Sequence, residues 1–542
     1  MSSIFKSDND SKFSKDFNNE NPSLLITDLD NFYSNIYEYY YQKGYRNILT
    51  QILLENISFF FSVNFIFLNT VVIDWPSLIK SCKAKQKCEL DSEFINYPSI
   101  DSFSNNKFMY FLYILFIVYC IVYLVKSLKF FFNMRATREV YSTKLKLRKK
   151  ELENITFTEI MNKLISLQNI ENFCRVKDDI DHYDIISRIS RKENYLNALI
   201  SNNILKFIIK IPFIGTKDLF SNYISTKLQN CLLNYAFLNG EVKINKKFLV
   251  TRNLQFRILY YMIFESLFIL PNFILKLVFW LFTNADDIKS NRNINMKVWS
   301  PQIKLKFKNY NELKHHFENR INQSYYCAEK FLSCFQERFF SLVAKFLSLI
   351  FGSFLILTCV LSLIDDTLLL EMKVLGKNLV WYTFVLGIAL SIKQGLTGNS
   401  DAEILKDNIN YIELAELKED LYTNIMNKII NIPESWRVRQ NFSSKVKEMS
   451  KYYTFSILQL IDELMSILLF PYFWLKLFFQ SSDIISFFKL YTTHIEGIGD
   501  VCSLAVLDRN KFLSMKERKF DFDGVYAERK FINSYYYFEV IF

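Results

Sequence analysis

Two stretches of the chain share one unusual pattern: RILYYMIFESLFILPNFILKLVFWLF at residues 257–282 and FSILQLIDELMSILLFPYFWLKLFF at residues 455–479. Each has an acidic residue, a short apolar segment, a proline, and a second apolar segment that carries a lysine. Between Glu463 and Lys476 lie 12 uncharged residues. A helix of that length spans about 18 Å, whereas the hydrocarbon core of a bilayer is about 30 Å thick. The second stretch is therefore short for a membrane span.

The first window, Ile258 to Ala285, has basic residues on both sides: Lys246, Lys247, Arg252 and Arg257 before it, and Lys289, Arg292 and Lys297 after it. Basic flanks are typical of the cytosolic face, so both ends are predicted to lie on one side of the membrane. This predicts a re-entrant hairpin bent at Pro271, and the window from about Phe455 to Phe479 is interpreted in the same way. An ordinary kinked span and a buried soluble helix remain open alternatives.

Four further windows predict membrane-spanning helices: about Ile48 to Val72, Phe108 to Val125, Phe346 to Ile364, and Val374 to Ile392. The first contains one charge, Glu55, and the last contains one, Lys377. The last two are joined by the short acidic link Asp365-Asp366-Thr367, which predicts a tight helical hairpin.

The composition supports this architecture. Half of the 542 residues are hydrophobic, and Gly (11) and Pro (8) are scarce. These values exclude a disordered scaffold, a collagen-like chain and a turn-dense all-β fold. The 22% of charged residues is too high for a compact transporter. We therefore predict an all-α polytopic membrane protein with four transmembrane helices, two re-entrant membrane hairpins and cytosolic helical lobes.

The positive charge indicates an orientation. A net charge of +11 suits nucleic acid or the anionic cytosolic leaflet, and the apolar windows favour the membrane. No nucleic-acid partner is expected. Basic residues crowd the segment after the second span: Lys129, Arg135, Arg138, Lys144, Lys146, Arg148, Lys149 and Lys150. That flank and both termini are predicted to be cytosolic. Cys82 and Cys88 would then face the lumen, either paired or as free thiols.

These assignments divide the chain into successive segments: a disordered cytosolic N-terminus (1–27), the first transmembrane pair with its lumenal loop 73–107 (28–132), a cytosolic helical lobe (133–250), the first re-entrant segment (251–292), cytosolic helices (293–345), the second transmembrane hairpin (346–394), cytosolic helices (395–450), the second re-entrant segment (451–482) and a C-terminal cytosolic segment (483–542).

The sequence lacks the common nucleotide-binding and zinc-binding motifs. There is no G-x-x-x-x-G-K-[ST] and no G-x-G-x-x-G, and Gly497-Ile498-Gly499 lacks the third glycine. Nine cysteines without a C-x-x-C pair, together with four histidines, argue against a zinc framework. No metal, no cofactor and no nucleotide hydrolysis are expected.

Charged residues inside the apolar windows are the main lead to function: Glu55, Glu265, Lys377, Asp462 and Glu463. A charge in hydrocarbon is costly unless it is paired or lines water. The carboxylates either satisfy amide, lysine or arginine partners between helices, or form a polar furrow through which lipid headgroups or ions cross. The sequence leaves both readings open.

Several motifs follow one another along the chain: LDNFYSNIYEYYYQKGYRNILTQILLEN from residue 29, DIISRI at 184–189, NYLNAL at 194–199, Asn311-Glu312-Leu313 followed by Arg320-Ile321-Asn322, Ile461-Asp462-Glu463-Leu464 with Pro471, and GIGDVCSLAVLD at 497–508. In this order they resemble the motifs of the autophagy-related protein 9 family. The resemblance covers about residues 27 to 510.

The resemblance implies four spans, two re-entrant segments, and a homotrimer with domain-swapped elements. It implies ATP-independent scrambling of phospholipids on Golgi-derived and endosomal vesicles and on the preautophagosomal and autophagosome membrane, with lipid supplied by a bridge-like lipid-transfer partner. A trimeric scaffold that recruits autophagy and lipid-transfer proteins, with little scrambling, is the alternative. An ion channel or porter would need a continuous polar lining and coupling-ion sites, which the sequence does not indicate.

The charges inside the apolar windows and the family resemblance together indicate candidate site residues. The lipid-path candidates are Glu55, Glu265, Lys289, Arg292, Lys377 and Glu463, because cations suit a phosphate and carboxylates suit the ammonium of a phosphocholine-like headgroup. Where some family members carry Lys-Arg-Glu, this chain has Lys289-Ser290-Asn291, with Arg292 one place beyond. The inter-subunit candidates that the resemblance implies are Gly497, Gly499, Asp500 and Cys502.

Overall fold

The computed structural model describes residues 28–68, 73, 107–171, 180–211, 215–238, 243–283, 297–335, 338–364, 373–374, 376–387, 411–433, 436, 442–510 and 525–542. Several sequence predictions lie outside these residues: the N-terminal segment 1–27, Cys82 and Cys88, the acidic link 365–367, and the basic pair Lys289 and Arg292.

The described α-helices, in chain order, are α1 (Leu29–Tyr41), α2 (Tyr45–Phe67), α3 (Lys107–Glu139), α4 (Lys149–Asn154), α5 (Phe157–Glu171), α6 (His182–Ser201), α7 (Asn222–Leu228), α8 (Asn234–Ala236), α9 (Thr251–Ser266), α10 (Ile269–Thr283), α11 (Pro301–Phe307), α12 (Lys314–Ser333), α13 (Arg338–Ile364), α14 (Tyr411–Ile429), α15 (Phe442–Ser450), α16 (Ser456–Leu468), α17 (Phe470–Phe479), α18 (Ser481–Leu490) and α19 (Val525–Ile541). Two π-helical turns, Val140–Lys144 and Gln229–Leu233, continue α3 and α7, and a 3₁₀ turn covers Ser503–Ala505.

Short antiparallel strand pairs interrupt the helices, so the prediction of an all-α fold needs a correction. The pairs are β1 (Ile208–Ile211) with β2 (Gly215–Asp218), β3 (Lys297–Trp299) with β6 (Tyr453–Phe455), β4 (Lys373–Val374) with β5 (Lys377–Asn378), and β7 (Thr492–Ile495) with β8 (Gly499–Cys502). Strands of two to four residues are too short for the alternation that identifies a strand in sequence.

The first two predicted spans are long helices that pack against each other. Among the described residues, two stretches are long and apolar enough to cross a bilayer, Tyr45–Phe67 and Ile114–Lys144. The rings of Phe59 and Tyr123 lie 4.8 Å apart between them. Large apolar side chains such as Leu54 are exposed on the outer surface of the pair, as expected for helices that contact lipid.

The second predicted hairpin is helical in part. Helix α13 covers the third predicted span and exposes apolar side chains along its length. The fourth span begins later than predicted, because Val374 and Lys377 lie in the strands β4 and β5, and the described helix runs over 379–387. Gly376, at the tip of this strand pair, has a φ of 80°. A helix cannot pass through that conformation.

Each proline-containing window forms two helices at a steep angle. We call α9 with α10 the first bent pair and α16 with α17 the second bent pair. Their bends are 61° and 64°, which confirms the predicted break in each window. Pro271 and Pro471 occupy the first turns of α10 and α17, where a proline removes no helical hydrogen bond. The bends therefore lie just before the prolines.

The flanks of both bent pairs lie in one folded body. Phe248, before the first bent pair, and Phe488, after the second, have ring centroids 4.8 Å apart. Phe488 also stacks on Tyr195 of α6 at 4.8 Å. Asn197 of the same helix donates to the carbonyl of Lys308 at 3.0 Å, which ties the segment after the first bent pair to the segment before it. Trp299, in that later segment, packs on Tyr453, before the second bent pair, at 4.7 Å. We call this assembly the core body. It favours re-entrant bent pairs over crossing ones, because a true crossing would separate the two flanks.

Single cysteines at positions 252 and 297, in a background without native cysteines, test the re-entrant topology. Both are expected to react with a membrane-impermeant maleimide from the same side, since both flanks belong to the core body. A cysteine at position 146, in the basic segment after the second span, marks the expected side. Protection of one position while the other reacts would identify a crossing helix.

Candidate functional site

Three of the four predicted intramembrane carboxylates face a lysine, and two of them are glutamates of the bent pairs. Glu265 of α9 accepts from the Nζ of Lys227 at 2.6 Å. The Oε2 of Glu463 lies 3.0 Å from the Nζ of Lys276, so that an acid of the second bent pair meets a lysine of the first. The sequence left open whether these carboxylates are paired between helices or line a polar furrow. In the structure, both carboxylates are paired.

Further polar contacts extend this arrangement between the two bent pairs and α7. Asp462 pairs with Lys217 of β2. The hydroxyl groups of Ser221 and Ser466 are 2.6 Å apart in a buried position. We define the polar seam as the three ion pairs formed by Lys217, Lys227, Glu265, Lys276, Asp462 and Glu463.

The polar seam differs in exposure along its length. The side chains of Lys227 and Glu265 are 15% and 9% exposed. Those of Lys276 and Glu463 are 37% and 16% exposed. A charge removed from water is stable in an apolar environment only beside a well-placed opposite charge. The seam thus holds charges at a depth that apolar residues would otherwise occupy. The Lys227 ion pair is its most buried part, and the ion pairs of Lys276 and Lys217 are more accessible.

Helix α10 connects the seam to the spanning helices. Leu275, next to Lys276, is buried in an apolar cluster with Val63 of α2 and Phe116 of α3. Glu55 lies on α2, where Gln51 donates to it at 2.8 Å and the hydroxyl of Tyr123 lies at 3.5 Å. Glu55 therefore belongs to the spanning pair and is not brought into the seam.

The remaining lipid-path candidates are not gathered with these carboxylates. Lys377 is exposed in strand β5, outside the apolar helix in which it was predicted. The helix begins only after it, so its predicted position inside a helix is wrong, and its role on the lipid path stays a prediction. Lys289 and Arg292 lie outside the described residues, so their predicted role at the cytosolic mouth stays a prediction.

A second polar cluster lies deep in the core body. Asp30 of α1 accepts from Arg188 at 3.1 Å and lies 2.9 Å from Arg191, both on α6. Arg188 also donates to the carbonyl of Gly497 at 2.5 Å, and Arg191 donates to that of Ile498. Burial raises the pKa of Asp30, and the neighbouring arginines partly oppose this effect. Burial likewise lowers the pKa of Arg191. We call this cluster the arginine junction.

The predicted inter-subunit residues lie on the hairpin that receives the arginine junction. Gly497 and Gly499 have φ angles of 88° and 99°, which favour glycine. Asp500 accepts from the backbone N–H of Ile244 at 2.8 Å and lies 2.8 Å from the Nδ1 of His494. The thiol-bearing Cys502 is buried in the core. The segment is thus built into its own chain, and its role between subunits stays a prediction.

The motifs quoted from the sequence contain further structural residues that were not predicted as a site. Asn311 accepts from the side chain of Asn194 at 2.7 Å and donates to the carbonyl of Ala505 at 2.8 Å. Arg320 holds the buried carboxylate of Glu312 through two hydrogen bonds, at 2.9 and 2.8 Å. Asn194 and Arg320 lie on helices, whereas Asn311 and Glu312 lie in the turn between α11 and α12. Their place in the quoted motifs was the signal in the sequence, and buried polar groups are usually paired in this way.

Comparison with known proteins agrees with this arrangement. The sequence model of the family described as Autophagy protein ATG9 matches residues 23–508. Autophagy-related protein 9 of Dictyostelium discoideum is 27% identical over 492 residues, which are 88% of this chain and 66% of that protein. Its counterpart in Arabidopsis thaliana is 26% identical over 507 residues, which are 89% of this chain and 56% of that protein. The chain thus spans between half and two thirds of the length of these curated relatives.

A solved structure has the same fold. The cryo-EM structure of Schizosaccharomyces pombe Atg9 matches with a TM-score of 0.62, covering 89% of this chain and 99% of that one. The sequence identity is 21%, so this likeness is evidence for the fold alone.

Replacing Asp30 by asparagine tests the arginine junction. The substitution removes the carboxylate between two buried arginines, and the free energy of unfolding is expected to fall by about 3 kcal/mol. Thermal unfolding of the detergent-solubilised protein measures this change. Glu448→Gln is the control, because its ion pair with Lys451 is largely exposed and contributes less than about 1 kcal/mol. Equal shifts of the unfolding temperature for both variants would show that the arginine junction is no more important for stability than an exposed ion pair.

Replacing Gly499 by valine tests the hairpin. A β-branched residue resists a positive φ, so destabilisation by about 2 kcal/mol is expected. Thr493→Val, at an exposed position of the partner strand, is expected to leave the unfolding temperature nearly unchanged. Comparable unfolding temperatures for Gly499→Val and wild type would show that the turn does not need glycine.

Proposed function

Because the chain belongs to the family of autophagy protein ATG9, we propose that it is a phospholipid scramblase of autophagy membranes that works without ATP. The family assignment makes it a membrane protein of autophagy. Transfer of lipids between the leaflets of a growing autophagosome membrane is the specific activity that we assign to it.

The polar seam is the observation that carries this proposal. A zwitterionic headgroup that crosses about 30 Å of hydrocarbon needs polar surface in place of its water. The ion pair of Lys276 with Glu463 supplies both signs of charge between two bent pairs, and it is partly accessible. Lysine suits the lipid phosphate, and the carboxylate suits the ammonium of choline or ethanolamine.

The bent pairs give the seam a suitable position. Helix α10 packs against both spanning helices through Leu275 and its neighbours, so the seam adjoins an apolar surface that lipid tails can contact. A lipid can then move its headgroup along the polar side chains while its tails stay in the bilayer. When the Lys276–Glu463 pair opens, each side chain would contact a charged group of the lipid headgroup instead. These new contacts would limit the free-energy cost of breaking the pair.

The movement is passive in this proposal. The sequence contains no nucleotide-binding motif, so lipids would run down their gradient in both directions, and the protein is not an enzyme. We further propose a homotrimer, a bridge-like lipid-transfer protein as the supplier of lipid, and residence on Golgi-derived and endosomal vesicles.

A trimeric scaffold with little scrambling is the second candidate function. The observation that favours it is the pairing of the seam itself, because every carboxylate in it already has a lysine partner. A fully paired seam can serve stability alone. The large core body would then be the functional surface, on which autophagy and lipid-transfer proteins assemble.

Reconstituted liposomes separate these two functions. Vesicles with labelled lipid in both leaflets are exposed to a membrane-impermeant quencher, with no ATP present. Wild-type protein is expected to allow quenching of both leaflets. The double variant Lys276→Leu with Glu463→Leu is expected to be at least about tenfold slower, which corresponds to about 1.4 kcal/mol at the barrier. Replacing both partners avoids an unpaired buried charge, so the fold should persist.

Two control variants sharpen the test. The exchange Lys276→Glu with Glu463→Lys keeps both charges and should retain most of the activity. The double variant Glu448→Leu with Lys451→Leu removes an exposed pair outside the seam and should scramble like wild type. Light scattering should give the same oligomer mass for the wild-type protein and for all of these variants. Quenching in wild-type vesicles that stops at the outer leaflet would falsify scrambling and support the scaffold. Equal rates for wild type and the leucine variant would reject the seam as the path.

A further inference from the structure

A cavity of about 380 Å³ lies where the two spanning helices leave the apolar layer. The N-terminus of α2 contributes Gly44 and Arg46, the end of α3 contributes Arg138, and the segment entering α4 contributes Arg148 and Lys149. The volume falls within the range of about 300–1,000 Å³ that small-ligand sites occupy.

The lining is strongly positive. Four of its side chains are cationic, and no acidic residue of the described chain lines the cavity. None of the four cations forms an ion pair with another described residue. Glu151, a nearby carboxylate, accepts from the backbone N–H of Arg148 at 3.1 Å and so caps α4. The guanidinium of Arg138 lies over the ring of Tyr45, 5.1 Å from its centre.

The backbone adds to the positive potential. Gly44 is the N-cap of the 23-residue helix α2, and no side chain caps that end. The free N–H groups at a helix N-terminus carry a partial positive charge that favours anions. Gly44 has a φ of 104°, and a Cβ at this position would lie 3.2 Å from Leu152. Glycine therefore allows the close turn that brings the helix end to the four cations.

The cavity lies a short distance along the spanning helices from exposed apolar residues. Phe132 of α3 is 56% exposed on the lipid-facing surface, and Leu54 of α2 is 64% exposed. Arg138 follows Phe132 by six residues, which is about 9 Å along a helix, and Arg46 precedes Leu54 by eight residues, about 12 Å. The headgroup region extends some 5–8 Å beyond the hydrocarbon on each side, so we expect these cations near its outer edge.

We propose that this cavity binds a phosphomonoester-bearing anion, and specifically the headgroup of a phosphoinositide in the leaflet that the basic flank faces. Four cations without an ion-pair partner among the described residues, together with a helix N-terminus, suit a ligand with several phosphate charges. A soluble inositol phosphate carries the same chemistry without the acyl chains. The site is separate from the polar seam, so it stands whether or not the protein scrambles lipid.

Binding to the full-length protein in phosphatidylcholine nanodiscs tests the site. The probe is a fluorescent short-chain phosphatidylinositol bisphosphate, followed by anisotropy. The site variant carries Arg46→Gln, Arg138→Gln and Arg148→Gln. The control variant carries Arg135→Gln, Lys146→Gln and Lys150→Gln, which remove the same charge from exposed positions of the same flank outside the lining. The site variant is expected to bind at least about tenfold more weakly than the control.

Competition identifies the source of the phosphate. Displacement of the probe by inositol trisphosphate at a similar concentration would support the site with a soluble phosphate as a sufficient ligand. Displacement only by phosphoinositide nanodiscs would support the site with the membrane lipid as the ligand. Equal weakening in the site and control variants would overturn the proposal, and so would equal binding of a polyglutamate peptide.

Thermal unfolding shows whether the site variant is folded. If it is not, a second measurement on the wild-type protein tests the site. A photoreactive phosphatidylinositol bisphosphate is cross-linked to the wild-type protein and mapped by mass spectrometry. Cross-links within residues 138–152 or 39–46 support the site. Cross-links confined to other segments overturn it.

Discussion

The buried ion pairs of Asp30 with Arg188 and Arg191 are the interaction on which the rest of this structure depends. Asp30 lies on the helix that leads into the first span, the arginines lie on α6, and their other hydrogen bonds go to the turn after the second bent pair. A buried charge is costly alone, so each of these three parts of the chain requires the others in place. The core body therefore forms from the segments between the membrane elements.

The position of the bent pairs follows from this junction. Their flanks are held together in the core body, so each pair has both ends at one place and too little length to cross and return as full spans. The two pairs also pack on each other, α9 against α17 and α10 against α16. This packing brings Glu463 of one pair to Lys276 of the other. The polar seam is thus a consequence of how the two breaks are arranged, and not of either window alone.

Two polar features mark the membrane-facing part of the molecule, and they differ in chemistry. The polar seam contains both signs of charge in ion pairs, which suits a zwitterionic headgroup that must be released again. The cavity beside Gly44 contains cations without ion-pair partners among the described residues, which suits a multiply charged anion that stays bound. The polar seam adjoins the bent pairs, and the cavity adjoins the ends of the spanning pair. Backbone groups and charged side chains can leave the hydrocarbon only where a helix breaks or ends.

The amino-acid sequence by itself determined the membrane class, the first three apolar helices and the two broken windows, because apolar length and the position of proline are local properties. It also indicated the ordered motifs of the family. The pairing of Glu265 with Lys227 and of Glu463 with Lys276 was decided only by the tertiary structure. So were the strand at Lys377 and the convergence of Asp30, Arg188 and Arg191. Sequence places such residues 38 to more than 150 positions apart, and a charge in an apolar window looks the same whether it is paired or free. Only the packing of distant helices supplies the partner that makes its burial stable.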